Sequence, residues 1–309
     1  MNYIGIKHIT SCTADCEISA EELTSRYNVD SNFINNKTGF LKLYRQSNIG
    51  DTLALAKKSI NSFKESSDSN FDKIDLVVCV TQNPGRVKMP HLAAFIQDYI
   101  APNRYIPSFD ISLGCSGWVY ALDIVKSFMS SNALHNALLI TCDPYSQVID
   151  ENDKNTSLLF SDGASVTLIS DEDPVWLLKK GSYGTDGSRY QSIYCNTGNR
   201  LEMNGRSLFE TVVKSIPKVI DKVVKHNCLQ ISDIDKYVMH QGSKYMVDYI
   251  ASIMGLTDKM PFAASSIGNT VSSSIPSVFD KIVCADDKII CVCSFGIGFS
   301  WACNILKRI

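Results

Sequence analysis

Short stretches rich in apolar residues recur along the chain: IGIKHIT at 4–10, LVVCVT at 76–81, ALLITC at 137–142, KYVMH at 236–240, IICVCS at 289–294 and SWACNIL at 300–306. Runs of this length, rich in β-branched residues, suit strands covered on both faces. Amphipathic stretches alternate with them, around Asp51 to Phe63, near His91 to Ile100, after Cys115, from about Leu208 to His226 and after Gln241. The alternation predicts a sheet covered by helices. SLLFSDGASVTLIS at 157–170 places Asp162-Gly163-Ala164 between two apolar segments, which predicts a hairpin or bulged bend. The first half closes at the acidic loop DEDP, and the second repeats the order from WLLKKGSYG onward. The boundaries expected are 1–172 and 173–309. No Gly/Ser-rich or Pro-rich linker separates the halves, so they should form one rigid body with a site where they meet.

Composition narrows the functional classes. The chain has 309 residues, 45% of them hydrophobic, enough for a sizeable core. A net charge of -2 offers no cationic surplus for nucleic acid or anionic lipid. No apolar run approaches the roughly 20 residues of a membrane span, and the N-terminus lacks the continuous apolar region of a signal peptide, so a soluble cytoplasmic protein is expected. Eleven cysteines are then free thiols. Cys12 and Cys16 have no second ligand pair at metal-site spacing, and no metal is expected.

One thiol stands apart. Phe109 to Trp118, FDISLGCSGW, runs from a short strand into the helix VYALDIVKSFM and places Cys115 at the helix start. Unpaired N–H groups and the helix dipole there favour a thiolate; on this segment alone the alternative, that Cys115 is one more small buried hydrophobe among eleven, stands equally. His240 ends a strand in YVMHQG, a common location for catalytic groups in α/β folds. SSIGNTVSSS offers Asn269 as an amide donor, and the turn SFGIGF can point a backbone N–H at a carbonyl oxygen. The other four histidines belong to no such motif and are read as structural.

GCSGWVYAL, VMHQG, GNTVSSSIP and SFGIGFSWA occur in the order and at about the separations of the cysteine, histidine, asparagine and glycine-rich motifs of β-ketoacyl-acyl-carrier-protein synthase III. With FINNKTGF, FSDGAS and MNGRSLFETVV, the chain resembles that family over essentially its whole length. The resemblance implies a duplicated thiolase fold in five αβαβα layers, a homodimer and an acyltransferase of fatty acid biosynthesis. It implies an acyl group on Cys115, with an oxyanion hole at the N–H groups of Cys115 and Ile297. His240 and Asn269 would bind the malonyl thioester oxygen as carbon dioxide leaves. Coenzyme A thioesters and an acyl carrier protein would be substrates and partners, with no resident cofactor.

Several positions depart from the family pattern. Where an aromatic residue and arginines commonly grip coenzyme A, this chain has Phe33, Lys37 and, within a longer 145–156 segment, Lys154. Lysine lacks the planar fork of arginine. Met89 matches a position from which a partner subunit supplies a bulky Phe to close the acyl pocket. Phe295 is expected in substrate binding. Arg206, Lys244 and Lys37 are candidate carrier-docking cations, and the stripe Lys214, Lys218, Lys222 and Lys225 is either a docking patch or a solvated face. Two other functions fit the same motifs: acyl transfer from Cys115 to a hydroxyl or amine, and a non-catalytic partner subunit. The presence of Cys115 argues against the latter.

Overall fold

A computed structural model describes residues 3–67 and 70–309. Of the N-terminal run MNYIGIKHIT, Met1 and Asn2 lie outside the described residues. Ten strands form one sheet: β1 Gly5–Thr13, β2 Leu76–Val80, β3 Ser108–Ile111, β4 Asn136–Cys142, β5 Gly163–Ser170, β6 Trp176–Leu178, β7 Ser182–Thr185, β8 Lys236–Met239, β9 Ile289–Gly296 and β10 Ser300–Arg308. Their order is β8-β9-β10-β6-β1-β5-β4-β2-β3, with β7 also on β10. The first half contributes β1 to β5 and the second β6 to β10. They join where β1 pairs with β6, Gly5 opposite Leu177 and Ile6 opposite Trp176.

Alternation along each strand sorts the layers. In β2, Val77 and Cys79 pack outward with Ala56, Ile60 and Phe63 of α1 (Thr52–Ser66) and Ile96 of α2 (Leu92–Ile100). Leu76, Val78 and Val80 face inward, onto Trp118, Leu122 and Val125 of α3 (Gly117–Asn132). The other side of α3 meets Ile290 and Val292 of β9. Cys291 and Cys293 of the same strand point away, against Ile216, Ile220 and Val223 of α4 (Gly205–His226) and Ile250 of α5 (Lys244–Met254). The result is helices, strands, helices, strands, helices, with α3 and the short helix Phe279–Ile282 in the middle. That is the expected five-layer thiolase architecture.

One expectation is corrected. The run before Asp162 does not form one arm of a hairpin: Lys154–Ser157 is a helical turn, and Phe160 makes an isolated bridge with Asn269. WLLKKGSYG splits into β6 and β7, which pair with separate stretches of β10. Among the described residues, no helix is long and apolar enough to cross a membrane.

Candidate active site

Cys115 lies in the turn between β3 and α3. The first turn of α3 rests on the end of β2 so tightly that a Cβ on Gly117 would come within 2.4 Å of Val80 Cγ1, so glycine is required there. The cysteine is 6% exposed. The Ser294 hydroxyl donates to its carbonyl, tying the turn to β9. Backbone N–H groups of Ile297 and of Cys115 itself lie near the sulfur and favour its charged form. The thiolate expected from the helix terminus does not hold in the resting site. Burial pushes the thiol up to about 12, helped by the nearby Asp143 carboxylate and opposed by those two N–H groups.

His240 follows β8 and enters the site from the second half. Its backbone N–H donates to Cys293 O at 2.9 Å, and its ring meets Phe295 edge-on with centroids 5.7 Å apart. Burial lowers the imidazole pKa to about 3, so the ring is neutral and one nitrogen carries a donor proton. Among the described residues, Nδ1 has no hydrogen-bond partner.

Asn269 is held by its own backbone. Its N–H donates to Leu159 O at 3.1 Å, and its carbonyl accepts from Ser161 N at 2.9 Å. The side-chain Oδ1 accepts from Val271 N at 3.0 Å, which leaves the Nδ2 donors for the cavity that Asn269 lines. Val271 reaches that bond at a φ of 55°, a conformation costly for a β-branched residue and typical of an over-determined functional site.

These side chains converge. Cys115, His240, Asn269 and Phe295 line one cavity of about 360 Å³. Through Leu159, Met203, Gly205, Arg206, Ser243 and Tyr245 it continues into a mouth of about 640 Å³ that holds Phe33, Lys37 and Lys154. Lys37, on the π-helical turn Ile34–Thr38, places Nζ 3.8 Å from the centre of the Tyr245 ring. The docking cations are less free than their sequence positions suggest: Arg206 is 3.0 Å from Glu210, and Lys244 pairs with Asp248 and lines neither cavity. Exposed pairs of this kind are weak and open readily. Met89 is 86% exposed and lines neither cavity of its own chain. Sequence reading missed Tyr245 and Leu159 as lining residues; Tyr245 stands in the first turn of α5, outside the motif that ends on Gly242.

The family described as 3-Oxoacyl-[acyl-carrier-protein (ACP)] synthase III matches residues 109–187, and its C-terminal counterpart matches 224–308. Beta-ketoacyl-[acyl-carrier-protein] synthase III of Campylobacter concisus is 30% identical over 254 residues, 76% of each chain. The protein of the same name from Lactococcus lactis subsp. cremoris is 29% identical, over 99% of this chain and all of its own. This chain belongs to the β-ketoacyl-acyl-carrier-protein synthase III family. Solved structures of synthase III agree on the fold. One crystal structure has a TM-score of 0.92 at 24% identity, covering 99% of this chain and 100% of its own; that from Aquifex aeolicus has 0.89 at 22%, with the same coverage. The first synthase III match spans Cys115, and the second spans His240, Asn269 and Ile297.

Proposed function

We propose that this member of the synthase III family loads an acyl group onto Cys115 and condenses it with a malonyl thioester, as in the first condensation of fatty acid biosynthesis. The supporting observation is the convergence of Cys115, His240 and Asn269 on one cavity. In loading, a bond forms between Cys115 Sγ and the acyl carbon while the donor C–S bond breaks. The cysteine proton leaves with the departing thiol, so the exchange needs no net acid or base. The N–H groups of Cys115 and Ile297 would hold the transient oxyanion.

In condensation, carbon dioxide departs and negative charge moves onto the malonyl thioester oxygen. A neutral His240 N–H and the Asn269 Nδ2 are fixed donors for it, and such donors in a dry site contribute about 3 kcal/mol each. The enolate carbon then attacks the acyl thioester, the bond to Cys115 Sγ breaks, and the departing thiolate takes up a proton from water. A His240 imidazole held near pKa 3 is a poor base toward a hydroxyl or amine, which favours condensation over acyl transfer to such acceptors.

The donor is a coenzyme A or carrier thioester that enters past Phe33, Lys37 and Lys154, with coenzyme A as substrate and no resident cofactor. The carrier docks beside Arg206 and Lys244, and the protein works as a homodimer in which the partner subunit's copy of the exposed segment around residue 89 completes the acyl side. The test separates the half-reactions. Cys115→Ala should abolish the acyl adduct seen by intact mass. His240→Ala and Asn269→Ala should keep the adduct and lose release of carbon dioxide from malonyl carrier. Full release of carbon dioxide by both variants would refute the assignment.

A further inference from the structure

Two cavities border the Cys115 turn, and only one holds His240 and Asn269. The second, about 500 Å³, is lined by Ser112 and Leu113 of the turn, by Ile193 and Ile297, and by Tyr145 and Gln82. During condensation the acyl group on Cys115 and the incoming malonyl thioester are present together. The malonyl unit must reach His240 and Asn269, so it fills the first cavity. The acyl tail is left the second, which it would enter past Ile193, a residue that lines both cavities.

Leu113, Val148, Ile193 and Ile297 make much of the wall that this tail meets apolar, and its polar part includes Tyr145 and Gln82. Tyr145 is 1% exposed and packs against Phe160 of the first cavity with ring centres 4.9 Å apart, so the pair separates the two spaces. Its hydroxyl lies so near the turn that a Cβ on Gly114 would be 3.1 Å from it. The hydroxyl donates to Gln82 Oε1 at 3.4 Å, longer than an ordinary O–H···O bond. Buried phenols normally find a close partner. This one keeps its lone pairs and a loosely held proton beside the path of the acyl chain.

The neighbouring wall is fixed from behind. Asp143 Oδ1 accepts the N–H groups of Gln82 and Asn83 at 3.1 Å each, and the Asn83 amide at 2.8 Å. Asn83, Thr185 and Asn199 extend the polar part of the lining, and among the described residues no charged side chain joins it. A terminal carboxylate would therefore find no counter-charge, while a plain alkyl chain would strip water from these groups without replacing their hydrogen bonds.

We infer that Tyr145 makes the enzyme select a short acyl group bearing a hydroxyl or keto oxygen over the plain alkyl group of the same length. This rests on the reading of Cys115 as the acyl carrier. The oxygen on the chain is recognised and not consumed, since loading only exchanges one thioester for another.

The experiment is the rate of Cys115 acylation, read by intact mass, with 3-hydroxybutyryl, acetoacetyl and butyryl thioesters of coenzyme A. At least one oxygenated donor should load about tenfold faster than butyryl, the worth of one buried hydrogen bond. Tyr145→Phe should bring that ratio close to one, and Tyr145→Leu should do the same with a different side-chain shape. A thermal unfolding midpoint near that of the parent would show that each variant is folded. A wild-type preference for butyryl, or a ratio unmoved by Tyr145→Phe, overturns the inference and leaves the acyl-carrier reading standing. Absence of an adduct with every donor overturns both.

Discussion

Gly296 approaches Cys115 so closely that a Cβ built on it would lie 2.7 Å from the sulfur. The contact joins the last residue of β9, in the second half, to the reactive thiol of the first. Gly296→Ala should therefore displace the sulfur from the Ile297 N–H and slow acylation by about a hundredfold, since an ångström of misplacement is enough for that. Stopped-flow acylation of the variant beside the parent would check it, with unchanged adduct formation counting against the geometry.

The neutral, buried His240 makes an acid-sensitivity prediction. Its pKa is lowered from 6.5 to about 3, so the unfolded chain binds this proton more readily than the folded one. Its contribution is intact above pH 6.5 and is lost as pH falls toward 3, about 2 kcal/mol by pH 5. His240→Asn should flatten that part of the stability curve in urea titrations between pH 7 and 5.

Asp143 acts in the opposite sense. Burial raises its carboxyl from 3.8 to about 7 against three N–H donors. The folded state then holds the proton more tightly than the unfolded chain. Stability from this group is present below pH 3.8 and is lost as pH rises through 7, about 2 to 3 kcal/mol between pH 5 and 8. Asp143→Asn keeps an amide oxygen to accept from Gln82 and Asn83. Its unfolding free energy should decline less than the parent's over that interval.

At the mouth, Lys37 and Lys154 border the 640 Å³ opening as exposed point charges. Lys37→Ala and Lys154→Ala should each raise KM for a coenzyme A thioester about threefold at low salt, as solvent-screened contacts do, and leave kcat nearly unchanged. A pantetheine thioester, which lacks the nucleotide phosphates, should show no such rise. Equal effects on both donors would mean that the lysines act on the shared arm.

Much of the fold was legible because its strands are covered on both faces. LVVCVT and IICVCS read as strands from their unbroken apolar character, and each proved fully buried at its centre. SLLFSDGASVTLIS misled because its first apolar residues serve the site and not the sheet. Leu159 and Phe160 line the main cavity, and Phe160 bridges to Asn269 in another half of the chain, a long-range contact no local pattern carries. Cys115, His240 and Asn269 were legible as motifs, whereas the protonation of Cys115 was not. The helix-terminus argument weighs local backbone groups, but burial by residues as distant as Gly296 decides the outcome.

The β1–β6 pairing gives the chemistry and the selectivity different mountings. The ladder that sets Gly5 and Ile6 opposite Leu177 and Trp176, with the Val175 N–H donating to Ile6 O at 2.9 Å, makes the two halves one continuous sheet, so the frame carrying the Cys115 turn and His240 is fixed by backbone. Part of the acyl-side wall hangs outside that frame, on the 145–158 connection and the short strand Ile193–Cys195. Exchange of those peripheral segments would retune which acyl groups enter and leave the reacting atoms in register.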